Sequence, residues 1–211
     1  MFRYIDIHSH LNFAAFDQDG EEAANRALDA GVAFITVGTQ KDTSKKAVEL
    51  AEKYEHGAFA IVGLHPVHTS QSFHDEEELG KIEDYVPSDT RCLKPPTSGV
   101  GLGGFTSRGE VFDRDYYRIL AAHPKVVGIG ECGLDYYRLE TESTEKQREA
   151  FIRQIHLANG VQRPLMLHIR NGSGRSAYHD AFGILKTESK VRGNLHFFAG
   201  SIEEAKPFLD G

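Results

Sequence analysis

The chain is organised around one stretch, Val126-Val127-Gly128-Ile129-Gly130-Glu131-Cys132-Gly133-Leu134-Asp135-Tyr136-Tyr137. It begins with apolar, largely β-branched residues, which is the pattern of a strand buried on both faces. The pattern breaks at Gly130 and Gly133, with the carboxylate of Glu131 between them. An unpaired buried carboxylate is very costly, so Glu131 needs either a buried cationic partner or a metal ion. The stretch therefore predicts a central buried strand with a functional or ion-paired acid at its end.

Length and composition indicate one domain of ordinary size. The chain has 211 residues, of which 40% are apolar, and its net charge of −7 excludes binding nucleic acid through overall charge, although not through a local basic cleft or a metal. No apolar run approaches the ~20 residues of a membrane span, and the start lacks the pattern of a signal peptide. The two cysteines, Cys92 and Cys132, are too few for a disulfide framework. We therefore expect free thiols, a cytoplasmic location and no membrane partner.

Strand and helix patterns alternate along the chain. Strands are predicted at residues 2–8, 32–37, 58–64, 164–169 and 195–198, together with the strand that begins at Val126. Helices are predicted at 21–30, 75–85, 113–122, 177–186 and 203–209, from Asp42 or Thr43 to Gly57, and from Thr144 through Ala158. Gly31 would take the C′ position of the first helix. Thr144 and Gln147 would form a capping box at the start of the helix that begins at Thr144. This alternation predicts an α/β fold with a parallel sheet and helices outside it.

Residues 87–110 interrupt the alternation. They include Pro95-Pro96 and a glycine-rich run from Gly99 to Gly104, and they show neither a strand period nor a helix period. The glycines do not have the spacing of a nucleotide-binding fingerprint, and no strand precedes them. We interpret 87–110 as a loop insertion within a single domain, 1–211.

Ligand-type side chains recur where the predicted strands end. They are His8, His10, His65, Glu131, His168 and His196. The carboxyl ends of parallel strands line one mouth of an α/β fold, which is where such folds place their chemistry. The two imidazoles of His8-Ser9-His10 project from the same face of a strand, so both can reach one ion. A metal site is favoured over a set of histidines satisfied within the core.

Five segments of the chain resemble the TatD family. They are Ile5-Asp6-Ile7-His8-Ser9-His10-Leu11, Gly63-Leu64-His65-Pro66, Gly128 to Tyr137, Pro164-Leu165-Met166-Leu167-His168-Ile169-Arg170 and His196-Phe197-Phe198-Ala199-Gly200. The resemblance covers nearly the whole chain apart from the insertion. It implies a metal-dependent deoxyribonuclease on a TIM (β/α)₈-type barrel of the amidohydrolase kind. Asn12 stands where that family usually has an aspartate.

The resemblance also implies the ligands and their roles. Two divalent ions, Mg²⁺, Mn²⁺ or Zn²⁺, are expected: one held by His8 and His10, the other by His168 and His196, with Glu131 bridging them. The reaction would be hydrolysis of DNA phosphodiester bonds by water that the two ions activate, with Asp135 orienting that water. The expected phosphate contacts are His65, Arg138 and Arg170, and the substrate is DNA, in single strands or at ends.

Two other interpretations of the chain stay open at this point. A related barrel hydrolase could act on an ester or amide, such as an aminoacyl-tRNA ester, although many such relatives have a carbamylated lysine where Glu131 stands here. About six β/α units are countable, and a barrel has eight. We thus expect barrel strands seven and eight to be missing. The aspartate that the family takes from strand eight would be missing with them. An inactive, truncated barrel is therefore the third hypothesis, with low stability and with His8 and His10 one carboxylate short.

Three residues of the central stretch could have a functional role, but a role in packing is the simpler interpretation. Tyr136 and Tyr137 could stack on bases, but packing at the rim is the commoner use of aromatic residues that follow a strand. Cys132 could be taken for a nucleophile. With no accompanying histidine and asparagine motif, a small buried neutral side chain is the better interpretation.

Overall fold

The computed structural model describes residues 1–70, 72–75, 104–107, 109–137, 143–172 and 174–210. The helix predicted at 75–85 and most of the predicted insertion at 87–110 lie outside these residues, as do Cys92 and Arg138. Two short strands flank the gap: β4 (Ser72–Asp75) and β5 (Gly104–Ser107) pair antiparallel in a two-stranded sheet.

Six parallel strands form the main sheet of the described residues. They are β1 (Tyr4–Ser9), β2 (Val32–Val37), β3 (Ala58–Val62), β6 (Val126–Asp135), β7 (Leu165–Arg170) and β8 (Gly193–Leu195). They are hydrogen-bonded in chain order, with the register running from Tyr4 opposite Val32 to Leu167 opposite Leu195. Sequential parallel strands require a crossover outside the sheet each time, so this order is that of a barrel wall.

Six α-helices occur in the described residues. They are α1 (Gly20–Asp29), α2 (Lys41–Glu52), α3 (Arg114–Ala121), α4 (Ser143–Val161), α5 (Ala177–Glu188) and α6 (Ile202–Asp210). Gly31 follows α1 with φ of +78°, so the predicted C′ glycine is confirmed. None of these helices is long and apolar enough to cross a membrane.

The strands divide their side chains between two apolar clusters. Phe34, Val62 and Leu167 belong to a large cluster that includes residues of the helices. Ile35, Val37, Ile61 and Met166 form a small cluster on the opposite face. Because strand side chains alternate, His168 lies on the Met166 face of β7, away from the helices. The side chains at the mouth therefore project from the face of the sheet that is opposite the helices.

The sheet is strongly curled. β1 and β8 are its two outer strands, yet the rings of His8 and His196 stack with their centroids 4.0 Å apart. Residues at opposite edges of a flat sheet of six strands would be separated by about five strand spacings of ~4.8 Å. The six strands thus form a half-barrel, which confirms the predicted α/β barrel-type wall. The outer strand β1 is poorly covered, with Tyr4 62% and Ile5 52% exposed.

Two local predictions were wrong. The last strand was predicted at 195–198, but β8 is Gly193–Leu195, because it pairs with Leu165–Leu167 and that pairing begins at the glycine. Gln147 was predicted to form a capping box with Thr144. Its side-chain oxygen instead accepts from the backbone N–H of Asp135 at 2.9 Å, and its nitrogen donates to the Asp135 carbonyl at 3.0 Å.

Candidate metal centre

The half-barrel brings all six predicted strand-end residues together. His8 lies in β1, Glu131 in β6 and His168 in β7, while His10, His65 and His196 follow β1, β3 and β8. Each of the five imidazoles has a ring nitrogen within 4.0 Å of a Glu131 carboxylate oxygen. The predicted ligands therefore converge on one acid, which is 3% exposed.

The two carboxylate oxygens of Glu131 face different histidines. Oε1 lies 2.6 Å from His196 Nε2, 2.9 Å from His168 Nδ1 and 3.4 Å from His65 Nε2. Oε2 lies 3.4 Å from His8 Nε2 and 4.0 Å from His10 Nε2. Oε1 thus contacts histidines from β3, β7 and β8, and Oε2 contacts those from β1, so this one carboxylate can join ligands from both edges of the half-barrel.

Two groups of ligand atoms are compact enough for a metal ion. In the outer group, His8, Glu131 and His196, all three ligand atoms lie within 4.8 Å of one another, and the same holds for the inner group, His65, Glu131 and His168. We name them for their strands, because the outer histidines come from β1 and β8 and the inner ones from β3 and β7. His65 had been predicted to contact substrate. Its distance to Glu131 places it in the inner group as a potential ligand.

Asp135 and Gln147 support the inner group. Asp135 Oδ2 lies 3.0 Å from His168 Nε2, while Nδ1 of the same ring contacts Glu131. Both nitrogens of His168 are thus held by carboxylates, and such outer partners fix the orientation of ligand histidines. Gln147, itself 2% exposed, holds the backbone of Asp135 on both sides. A second glutamine of α4 has the same role beside His65.

That second glutamine is Gln154, one of the least exposed large side chains of the described residues. Its side-chain oxygen accepts from the Leu64 N–H at 2.8 Å and its nitrogen donates to the Leu64 carbonyl at 2.9 Å. His65 follows directly. Sequence reasoning missed both glutamines as supporting residues. The available signal was two amides in the apolar stripe of a helix, where a buried polar group needs a hydrogen-bond partner.

His10 contacts His8 of the outer group, with 3.1 Å between their Nε2 atoms, and is supported differently. His10 Nδ1 lies 2.9 Å from the Val37 carbonyl, which also accepts from the Asn12 side chain at 3.2 Å. Asn12 donates in addition to the Thr43 carbonyl at 2.9 Å, which a carboxylate could not do. The His10 ring stacks on Phe13 with centroids 4.4 Å apart. The Val37 carbonyl and the Phe13 ring therefore help to orient His10.

The charges of the site favour an ionised acid. Burial alone would raise the pKa of Glu131, but the neighbouring His65, His168 and His196 hold that pKa well below its ordinary range. Burial also opposes protonation of His168, yet its hydrogen bonds with Asp135 and Glu131 raise its pKa to about 9. Burial lowers the pKa of His65 to about 4. The acid is thus poised as an anion, the form that binds cations.

The arrangement fits divalent metal ions. Five imidazoles and a buried carboxylate are ligands for Zn²⁺, Mn²⁺ or related ions. The Nε2 atoms of His8 and His10 face each other at 3.1 Å, and the buried Nδ1 of His8 has no hydrogen-bond partner among the described residues. A proton shared between the two Nε2 atoms, or a cation bound by both of them, can satisfy the first contact. The distance from His168 to Glu131 is well inside the ~7 Å limit beyond which they could not share an ion.

The other predicted site residues lie around this centre. Arg170, at the end of β7, is exposed, and its guanidinium carbon lies 3.8 Å from the centroid of the Tyr137 ring. Tyr136 is buried and its hydroxyl donates to Asp180 at 2.8 Å, as rim packing predicts, whereas Tyr137 is 60% exposed. Cys132 is fully buried, with a thiol pKa raised well above its usual range by burial, so it is not a nucleophile.

Comparison with known proteins decides the family. A family model described as TatD related DNase matches residues 5–211. The chain belongs to this family. The match includes every residue of the two ligand groups, so the resemblance drawn from the sequence motifs is confirmed.

Three relatives of the family show how far the likeness extends. The chain is 32% identical over 205 residues to the uncharacterised metal-dependent hydrolase YabD of Bacillus subtilis, covering 96% of this chain and 63% of the relative. It is 30% identical to the uncharacterised metal-dependent hydrolase YjjV of Escherichia coli (98% and 64%) and 30% identical to the 3′-5′ ssDNA/RNA exonuclease TatD of Shigella flexneri (95% and 61%). The chain thus spans less than two thirds of the length of these curated relatives.

Solved structures agree on the fold. The crystal structure of YjjV, a TatD homologue from Escherichia coli, superposes with a TM-score of 0.67 at 25% identity, covering 99% of this chain and 65% of that one. An uncharacterised amidohydrolase from Saccharomyces cerevisiae gives a TM-score of 0.62 at 19% identity, over 100% of this chain and 66% of that one. The half-barrel of the TatD-type chain is therefore the fold of these larger proteins over the part that it covers.

Proposed function

We propose that this TatD-family chain belongs to a divalent-metal-dependent hydrolase that cleaves phosphodiester bonds in DNA, in single strands or at strand ends. The observation that carries the proposal is Glu131, a buried anion with each of its two oxygens facing its own set of imidazoles. A relative named as a 3′-5′ ssDNA/RNA exonuclease supports the choice of nucleic acid. The buried free thiol of Cys132 is consistent with a reducing cytoplasm.

The ligands of two divalent ions would be His8, His10, Glu131, His168 and His196, with His65 as a further candidate. Divalent ions bound there supply charge that polarises a phosphodiester and lowers the pKa of water. Glu131 contributes the negative charge shared by the two ligand sets. Asp135 keeps the His168 ring in place through Nε2 and has its backbone held by Gln147. A second oxygen of Asp135 accepts from the Tyr137 N–H, so this acid is itself fixed.

The contacts to the substrate phosphates are proposed to come from Arg138 and Arg170, whereas His65, for which the same role was predicted, is proposed as a ligand of the inner group instead. A guanidinium at the mouth matters here because the chain as a whole has a net charge of −7 and would otherwise repel a polyanion. Arg170 is exposed two residues beyond His168 on the same strand, within reach of a phosphate at the centre.

The test is to measure hydrolysis after the metal ions have been removed from the protein with a chelator, and again after they have been restored. We expect no cleavage after chelation and recovery with Mg²⁺, Mn²⁺ or Zn²⁺, on a single-stranded oligonucleotide or a duplex with a single-stranded overhang. A blunt duplex and an aminoacyl ester serve as comparison substrates. Cleavage that survives chelation, or turnover of the ester without turnover of DNA, would contradict the proposal, and the second result would favour the ester-hydrolase alternative.

A further inference from the structure

Two adjacent tyrosines at the mouth have opposite environments. Tyr136 is 5% exposed and hydrogen-bonded to Asp180, so its place in the packing is explained. Tyr137 is 60% exposed, and its ring contacts Arg170, whose guanidinium carbon lies 3.8 Å from the ring centroid. A cation at this distance is attracted to the face of the ring. Burial does not explain Tyr137, because most of the side chain stays in solvent.

The Tyr137–Arg170 pair is fixed directly to the candidate metal centre. Asp135 Oδ1 accepts from the Tyr137 N–H at 2.9 Å, and Oδ2 of the same carboxylate contacts His168 at 3.0 Å. The Tyr136 N–H donates to the Arg170 carbonyl at 2.8 Å, which joins the two strand ends. Arg170 and His168 are two residues apart on β7, so their Cα atoms are ~7 Å apart and their side chains share a face.

The chemistry of the pair suits one part of a nucleotide. An exposed aromatic ring offers a face for stacking on a base, and every base has such a face, so recognition is tolerant of sequence. The guanidinium behind the ring holds it in one orientation and keeps donors for a phosphate oxygen. A base inside a duplex is already stacked on both sides, so an unpaired base is the one most free to stack on the ring.

We propose that Tyr137, held by Arg170, is the stacking platform for one unpaired base of the substrate beside the candidate metal centre. This inference rests on the proposed function, because it assigns a nucleic-acid strand to that same site. The platform makes the protein select single strands by stacking, independently of base identity.

The test measures binding without turnover, in the presence of a chelator. A set of short single-stranded oligonucleotides carries one abasic position each, and their dissociation constants are compared with that of the intact strand. For the wild type we expect one position at which loss of the base weakens binding about five- to 150-fold, the range for stacking one base on an aromatic side chain. In Tyr137→Leu this sensitivity should fall to less than twofold.

Two variants control the experiment. Tyr137→Phe keeps the ring and should keep the sensitivity to the abasic position. Tyr4 is matched to Tyr137 in exposure, at 62%, and also has an arginine near its ring, Arg3 at 5.8 Å, but it begins β1 at the end opposite the mouth. Tyr4→Leu should therefore behave as the wild type does in this assay.

The outcomes separate this inference from the proposed function. An undiminished sensitivity in Tyr137→Leu, or no sensitive position in the wild type, overturns the platform. Equal weakening of every oligonucleotide in Tyr137→Leu also overturns it, since that is the result of a structural role. The proposed function is judged separately by metal-dependent hydrolysis, so a protein that stacks a base but hydrolyses no DNA would refute the function and leave the platform standing.

Discussion

The inner and outer ligand groups share Glu131 but differ in how firmly their histidines are held. His65 and His168 come from strands that have neighbours on both sides, and the carboxylate of Asp135 fixes the second nitrogen of His168. His8 lies on the outer strand β1, which is exposed at Tyr4 and Ile5, and its buried Nδ1 lacks a partner among the described residues.

His196, from the other outer strand, contacts Glu131 closely, at 2.6 Å, but lies on a short and exposed part of the backbone. His196 follows the three-residue strand β8 and precedes Phe197, which is 90% exposed. A ligand whose orientation is fixed before the metal arrives loses less entropy on binding. The two groups thus differ in preorganisation although they share one acid, and we expect the inner group to bind a metal ion more tightly than the outer group.

The largest difference is expected between His168→Ala and His8→Ala, which remove the same imidazole from the two groups. Loss of His168 should weaken binding of the tighter metal ion by more than about 100-fold, beyond what a supporting partner contributes. Loss of His8 should weaken it by only about tenfold. Competition with a coloured chelator gives both affinities. A His8→Ala effect equal to that of His168→Ala would refute the distinction between the groups.

A smaller effect is expected for Gln147→Met, which keeps the size of the side chain and removes both hydrogen bonds to the backbone of Asp135. Metal affinity and hydrolysis should fall about tenfold, because Asp135 then orients His168 less well. The melting temperature reports the accompanying loss of stability of ~1–3 kcal/mol from the unpaired backbone groups. Gln162, an exposed glutamine just after the same helix, donates to the Asn159 carbonyl at 2.7 Å, and Gln162→Met is the control that should leave metal affinity and hydrolysis unchanged. Unchanged metal affinity in Gln147→Met would contradict the supporting role.

The smallest effect is expected for Phe13→Leu beside His10, which contacts His8 of the outer group. Removing the ring on which His10 stacks should weaken only the second, looser metal ion, by about two- to tenfold, the range of one aromatic contact. Phe16→Leu alters a neighbouring phenylalanine of the short 3₁₀ helix Ala14–Phe16 and serves as the control. The comparison between the groups fails if Phe13→Leu weakens the tighter ion instead.

The sequence predicted the parts of the fold that depend on local pattern. Alternating strand and helix signals predicted a parallel sheet, and the placement of His8, Glu131 and His168 at strand ends predicted their convergence. These inferences need only the side-chain period and the common direction of the strands. The boundary of β8 was missed because Gly193 and Asn194 carry no strand signal, and their pairing with β7 decides where the strand begins.

The internal arrangement of the site could not be predicted in the same way. The stacking of His8 on His196 depends on the curvature of the whole sheet, which no single segment encodes. The same curvature brings His65 to within 3.4 Å of Glu131, so its position as a potential ligand was not visible from its spacing. The partner of Gln147 is likewise a backbone on another element, set by how α4 packs on β6.

Glu131 is the residue on which both groups depend, so the most direct measurement is the number of metal ions bound by the wild type and by Glu131→Gln, determined by calorimetric titration and elemental analysis. Glu145→Gln removes an exposed carboxylate and is the matched control. We expect two bound ions in the wild type and in the control, and none at the same metal concentrations in Glu131→Gln, with the fold unchanged by circular dichroism. Two ions bound with unaltered affinity in Glu131→Gln would contradict the shared role of Glu131.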